Sequence, residues 1–186
     1  MPMTPETFLE ALKTTLTKTK ANALTVLAAQ SNLAIRDVID RCFYPEQQVA
    51  FRAAWILENV FMQHLPRFMP AADYFLDRFS EQQNPSCCRH FCKILAGMSG
   101  KKASPELKLL MQHYPIDTLI ETVFKWLTDA KMPVAVKSHC LTILANFCAQ
   151  RPWIAEELLA IIDFLMDKES IAFFSKARKI RQQLQN

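Results

Sequence analysis

Residues 133–147 read "PVAVKSHCLTILANF". A proline opens the stretch, and valine, a base and small residues lead into a run of apolar positions. Proline suits the first turn of a helix, whose amides have no intrahelical partner, and is costly further inside. The order therefore predicts the start of the inner helix of an α-helical repeat.

The same punctuation recurs outward from this point. The chain holds ten prolines and only two glycines, Gly97 and Gly100. The prolines stand almost entirely where a new apolar pattern begins, as in "TPE" at Thr4, "YPE" at Tyr44, "NPS" at Asn84, "SPE" at Ser104 and "RPW" at Arg151. Thr4, Asn84 and Ser104 can also serve as N-caps. Helices are predicted over 5–29 with a break near Asn22, then 32–42, 46–63, 70–81, 85–98, 104–112, 115–129, 133–149, 152–167 and 170–185. No alternating run predicts a strand. In "VAFRAAWILENVF", Val49, Ala53, Leu57 and Val60 line one side at helical spacing, and Ala50, Ala54 and Phe61 line a second. A helix apolar on two sides sits between neighbours.

Several predicted helices begin alike: "YPEQQVAFRAAWILENV", "NPSCCRHFCKILAGM", "KMPVAVKSHCLTILANF" and, more loosely, "ESIAFFSKARKIRQQLQ". Each carries a base about one turn in: Arg52, Arg89, Lys137 and Arg178, separated by 37, 48 and 41 residues. Two-helix solenoid repeats run to roughly 40–47 residues, and the long interval is the one that contains the short amphipathic segment "PELKLLMQH".

This pattern resembles the HEAT and armadillo-like repeats. In "PVAVKSHCLTIL", Pro133 takes the place of the turn residue, Val136 and Lys137 of the Val-base pair, Cys140 of the small residue and Leu144 of the leucine. The Asp that such repeats carry is missing six residues before Arg89, Lys137 and Arg178. The resemblance implies an all-α, right-handed α-α superhelix, a solenoid of about four helix pairs. Within one domain over 1–186, it implies a capping helix at about 5–29, repeats at about 32–63, 70–98, 115–149 and 152–185, and an inserted helix at 104–112. A helix pair with one apolar face must stack on a neighbour to bury it, which explains small residues such as Ala50, Ala53, Ala54, Cys140 and Ala145.

In such repeats the second helices line the concave surface, so their polar stripes are the candidate binding site. Gln48, Arg52, Trp55 and Asn59 share one stripe of the 46–63 helix. Ser86, Arg89 and Lys93, then Lys137, Ser138 and Thr142, then Ser175, Lys179 and Gln182 form the corresponding ones. Arg52, Trp55, Asn59, Arg89, Lys93, Lys137 and Lys179 are the residues expected to meet a partner, with the bases exposed. The competing reading makes Trp55 partly core and the bases a solvated face.

An anionic partner suits these bases: an acidic protein segment, or a nucleic-acid backbone with Trp55 available to stack. The chain also resembles the helical-repeat DNA glycosylases that remove alkylated purines, and Trp55 with Glu58 is the pair nearest to the aromatic and acid that this likeness implies. Protein interaction without catalysis is the preferred expectation, and nucleic-acid binding or repair is the alternative.

The remaining motifs read as structure. "CCRHFC" puts Cys88 and Cys92 one turn apart, but His90 lies roughly 200° around the helix from Cys88, and the paired C-x-x-C spacing of a zinc site is missing. Buried thiols are expected there, with neither metal nor cofactor. "GMSGKK" follows a helix and lacks the gap of a phosphate loop, so a glycine helix stop with two exposed lysines is expected. The chain has no H-E-x-x-H, G-x-S-x-G or dinucleotide fingerprint. Its 186 residues, 51% hydrophobic and 22% charged, are globular in composition, and the net charge of +4 names no partner. No apolar run reaches the roughly 20 residues that span a bilayer, and "MPMTPETFLEALKTT" is unlike a secretory signal. A cytoplasmic location is expected, with reduced cysteines.

Overall fold

Side-chain caps mark the starts of four helices, at Thr4, Thr17, Asn84 and Ser104. The structure, a computed structural model, describes residues 3–166 and 168–185. Thr4 caps α1 (Pro5–Lys13), accepting from the Thr7 amide while the Thr7 hydroxyl accepts from the Thr4 amide. This reciprocal pair satisfies two of the orphan donors of a helix N-terminus. Thr17 caps α2 (Lys18–Gln30) through the Lys20 amide. The break in the first predicted helix therefore falls at 14–17 rather than near Asn22. Threonine side chains that bond locally to the backbone favour such a break over continued helix: Thr14 Oγ1 donates back to the Ala11 carbonyl.

The chain divides into two compact units, Met1–Ile94 and Leu95–Asn186. In the first, α3 (Ile35–Arg41) and α4 (Gln47–Gln63) follow the cap helices. Then come α5 (Leu65–Phe68), a 3-10 turn Met69–Ala71, α6 (Ala72–Phe79) and the greater part of α7 (Pro85–Met98). α5 is an unexpected turn of helix, separated from α4 at His64 by Pro66 near its start. α4 is the hub, packed against α1, α2, α3 and α5. Its alanines allow close approach: Ala50, Ala53 and Ala54 are all buried, with Val49, Ile56, Leu57 and Val60. A relay of phenylalanine rings completes this core. Phe61 meets Phe68 at 5.1 Å, Phe68 meets Phe75 at 5.6 Å, and Phe75 meets Phe91 of α7 at 5.0 Å. Such pairs add about 0.5–1.5 kcal/mol each beyond the area they bury.

The second unit is built around α10 (Val134–Phe147), which packs against α9 (Asp117–Thr128), α11 (Trp153–Leu165) and α12 (Ile171–Gln185). Val136, Cys140, Leu141, Ile143, Leu144 and Phe147 are fully buried. α8 (Pro105–His113) precedes them, capped by Ser104 through the Leu107 amide. Asp167, on which the helix expected over 152–167 ends, lies outside the described residues, as does Asn186 at the end of the polar C-terminal segment.

The described residues are helical with no strand. Asn84 Oδ1 accepts from the Ser86 amide at the start of α7, so all three expected caps are in place. The expected glycine stop is not. α7 continues through Gly97 to Met98, and neither glycine has a positive φ. Gly100 serves close approach instead: a Cβ there would meet the Ala96 carbonyl at 3.0 Å. The six cysteines are thiols, all buried except the partly exposed Cys148. Burial pushes Cys87 up to about 12, which leaves that thiol unreactive at neutral pH.

Candidate functional site

An α-helix turns by about 100° per residue, so Phe51, Trp55 and Glu58 fall on one face of α4. α7 presents Arg89, His90 and Lys93 towards them. The six side chains surround a recess of about 350 Å³, which lies wholly within the first unit. Its wall is aromatic: the Phe51 and Trp55 rings are 6.4 Å apart, and Phe51 lies 5.3 Å from the His90 ring.

Glu58 is only 7% exposed and is held from two sides. Its Oε2 lies 2.6 Å from His90 Nδ1, and its Oε1 accepts from Lys93 Nζ. Burial opposes ionisation of this carboxyl, but the hydrogen bonds from His90 and Lys93 outweigh it and hold the group below the usual carboxylate range. An ionised carboxylate only accepts, which assigns the proton to His90 Nδ1. His90 Nε2 is buried and has no hydrogen-bond partner among the described residues. Lys93 keeps 44% of its side chain exposed. Arg89 is exposed, and no ion pair or hydrogen bond engages it among the described residues. The recess thus offers an aromatic wall, one unpaired guanidinium, one partly neutralised ammonium and a carboxylate whose two oxygens are both engaged.

A family model of the HEAT repeat domain matches residues 8–184. The chain belongs to the HEAT repeat domain family. No curated protein and no solved structure gives a match. HEAT repeat domains generally serve as protein-interaction scaffolds, and among the described residues no helix is long and apolar enough to cross a membrane.

The bases that the repeat pattern aligned do different work in this HEAT chain. Arg52 turns inward, and its Nη1 donates to the Leu12 carbonyl at 2.8 Å, one of the orphan acceptors at the end of α1. Lys137 departs furthest from the expected exposure. It is 2% exposed and paired with Glu169, on a helix that packs against α9, α11 and α12. Arg89 and Arg178 are exposed. With no Asp at the usual position before Arg89, Lys137 or Arg178, the bases share no common acceptor: Arg52 and Lys137 bond to acceptors of their own surroundings, and Arg89 to none among the described residues.

The other expected residues divide in the same way. Asn59 donates to Thr25 of α2 at 3.3 Å, so with Arg52 it ties α4 to the cap helices. Lys179 is exposed on α12 beside Lys176, whose pKa is lowered by burial and by the Lys179 charge. Trp55, Arg89 and Lys93 are the expected residues that meet at one recess. Sequence reasoning missed Phe51 and His90 as members, and named Glu58 only as the acid beside Trp55 in the glycosylase likeness. The signal was the acid in "WILENV": a carboxylate beside Ile56, Leu57 and Val60 must find donors on a neighbouring helix.

Proposed function

We propose that the chain is a non-catalytic protein-interaction module that holds its partner at the recess between α4 and α7. The carrying observation is Arg89, unpaired among the described residues, standing one turn from Lys93 beside the partly buried ring of Trp55. Trp and Arg are enriched among residues that dominate interface energies, and they act best in pockets that exclude water. The two bases favour a partner segment of acidic character. The helix pairs at 32–63, 70–98, 115–149 and 152–185 form the repeats in this reading. The thiol state of all six cysteines supports a cytoplasmic setting, where disulfides are rare.

Alkylpurine glycosylase-like repair has Trp55, Glu58 and Arg89 at one recess in its favour. Against it stands the state of Glu58. Both its oxygens are engaged, so the carboxylate is not free to act on a bound base. Interaction without chemistry is the better reading.

The test is a partner recovered by pull-down and titrated calorimetrically. Trp55→Ala is expected to weaken binding by about 2 kcal/mol, and Arg89→Glu to weaken it further while leaving helicity unchanged. A folded Trp55→Ala/Arg89→Glu variant with full affinity would reject the recess as the binding site.

A further inference from the structure

The charge at the recess selects among anions. Arg89 and Lys93 bring two positive charges and Glu58 one negative, so with a neutral imidazole the six lining residues carry a net charge of +1. A monoanion cancels that charge. A dianion leaves an excess negative charge close to a carboxylate that is itself only 7% exposed, where screening by water is weak.

Geometry narrows the choice again. Residues at i and i+4 on a helix have Cβ atoms about 5–6 Å apart, so Arg89 and Lys93 can close on one anionic group. The tilted Phe51 and Trp55 rings stand beside that pair and offer an apolar surface. About 350 Å³ is at the small end of the range for ligand pockets, roughly 300–1,000 Å³. There is room for a side chain and its neighbour rather than for a folded surface.

Building on the interaction reading above, we infer that the recess recognises an extended partner segment in which one Asp or Glu adjoins an aromatic or large aliphatic side chain. Arg89 binds the carboxylate, and the Phe51 and Trp55 rings take the apolar neighbour. Glu58 is the specificity-determining residue. Its fixed negative charge, held by His90 and Lys93, rejects phosphorylated segments and nucleic-acid backbones that would otherwise suit two adjacent bases.

The probe is a set of short fluorescein-labelled Gly/Ser peptides with a central Asp-Phe, Asn-Phe, phosphoserine-Phe or Asp-Gly pair, titrated by fluorescence anisotropy at pH 8. The Asp-Phe peptide is expected to bind about tenfold more tightly than each of the others, the scale set by one charge-assisted hydrogen bond. Arg89→Gln, at an exposed site with no partner to lose, is expected to remove the preference over Asn-Phe. Glu58→Gln raises the net charge by one and is expected to move the preference to phosphoserine-Phe, with far-ultraviolet dichroism showing that the helices persist. Equal binding of Asp-Phe and Asn-Phe, both lost in Trp55→Ala, overturns the carboxylate assignment and leaves the recess as an interaction site. Absence of saturable binding by every peptide overturns the assignment as well. An Arg89-dependent preference for a short single-stranded DNA over all the peptides overturns both readings.

Discussion

Two buried carboxylate–cation contacts, one in each unit, end in opposite ways. In the second unit Lys137 lies on the hub helix α10, 2% exposed, and Glu169 closes over it. In the first unit the carboxylate is on the hub, at Glu58 of α4, and the cation that reaches it is the half-solvated Lys93 at the rim of a recess. The ammonium of Lys137 was taken out of water whole. That of Lys93 kept its hydration, and His90 completes the coordination of Glu58 from the buried side. A sealed pair is a structural element, because its charges have nothing left to offer. A pair open on its cationic side leaves a field that a ligand can enter.

The sharpest way to break this comparison is to remove one partner of the sealed pair. Glu169→Ala strands a buried ammonium and is expected to cost about 3–5 kcal/mol of unfolding free energy by denaturant titration. A loss below about 1 kcal/mol would show that Lys137 reaches water and that the two pairs are alike. The double variant Lys137→Met/Glu169→Leu is expected to recover most of the loss, since apolar replacement of a buried pair is often neutral.

Glu58→Ala is expected to have a smaller effect, about 1–3 kcal/mol. It leaves the buried Nδ1 donor of His90 unsatisfied, whereas Lys93 returns to solvent. A loss as large as that of Glu169→Ala would place Lys93 in a buried state.

Acid titration separates the pairs by another route. The Glu58 carboxyl is held below its ordinary value in the folded protein. Its contribution to stability is therefore present above the unfolded-state value and is lost as pH falls through the lowered one. The stability difference between the wild type and Glu58→Gln is expected to be constant from pH 7 to about 5 and to shrink below the ordinary carboxylate value of about 4.5. A difference that grows on acidification would reverse the sign and with it the assignment of the ionised state. Smallest of all, Lys93→Gln is expected to change stability by about 1 kcal/mol or less, since the amide can still donate to the buried Glu58 and the charge removed is half-solvated, while weakening any anionic ligand of the recess.

Much of the fold was legible along the chain because its causes are local. Thr4, Asn84 and Ser104 could be read as caps since a cap bonds within three residues of itself. The two apolar faces of α4 followed from periodicity alone, and both are buried. The break at 14–17 was misplaced because two threonines decide it through hydrogen bonds, while the hydrophobic pattern runs on past them.

The candidate site was legible only in part. Trp55, Arg89 and Lys93 could be named as a polar stripe on each of two helices. Their company could not, since Glu58 and His90 are 32 residues apart and meet only when α4 lies against α7.

By itself, then, the sequence determined what is written in short-range chemistry: helix starts at proline and capping residues, an all-α repeat, thiols buried on apolar faces, and a base near the start of each inner helix. Tertiary structure alone decided what each base became. Arg52 caps a carbonyl of α1, Lys137 is sealed against Glu169, and Arg89 is exposed with no ion pair among the described residues. The reason is physical. A side chain's charge is written in the chain, but the cost of keeping that charge depends on how much water and which acceptors surround it, and those are supplied by residues tens of positions away.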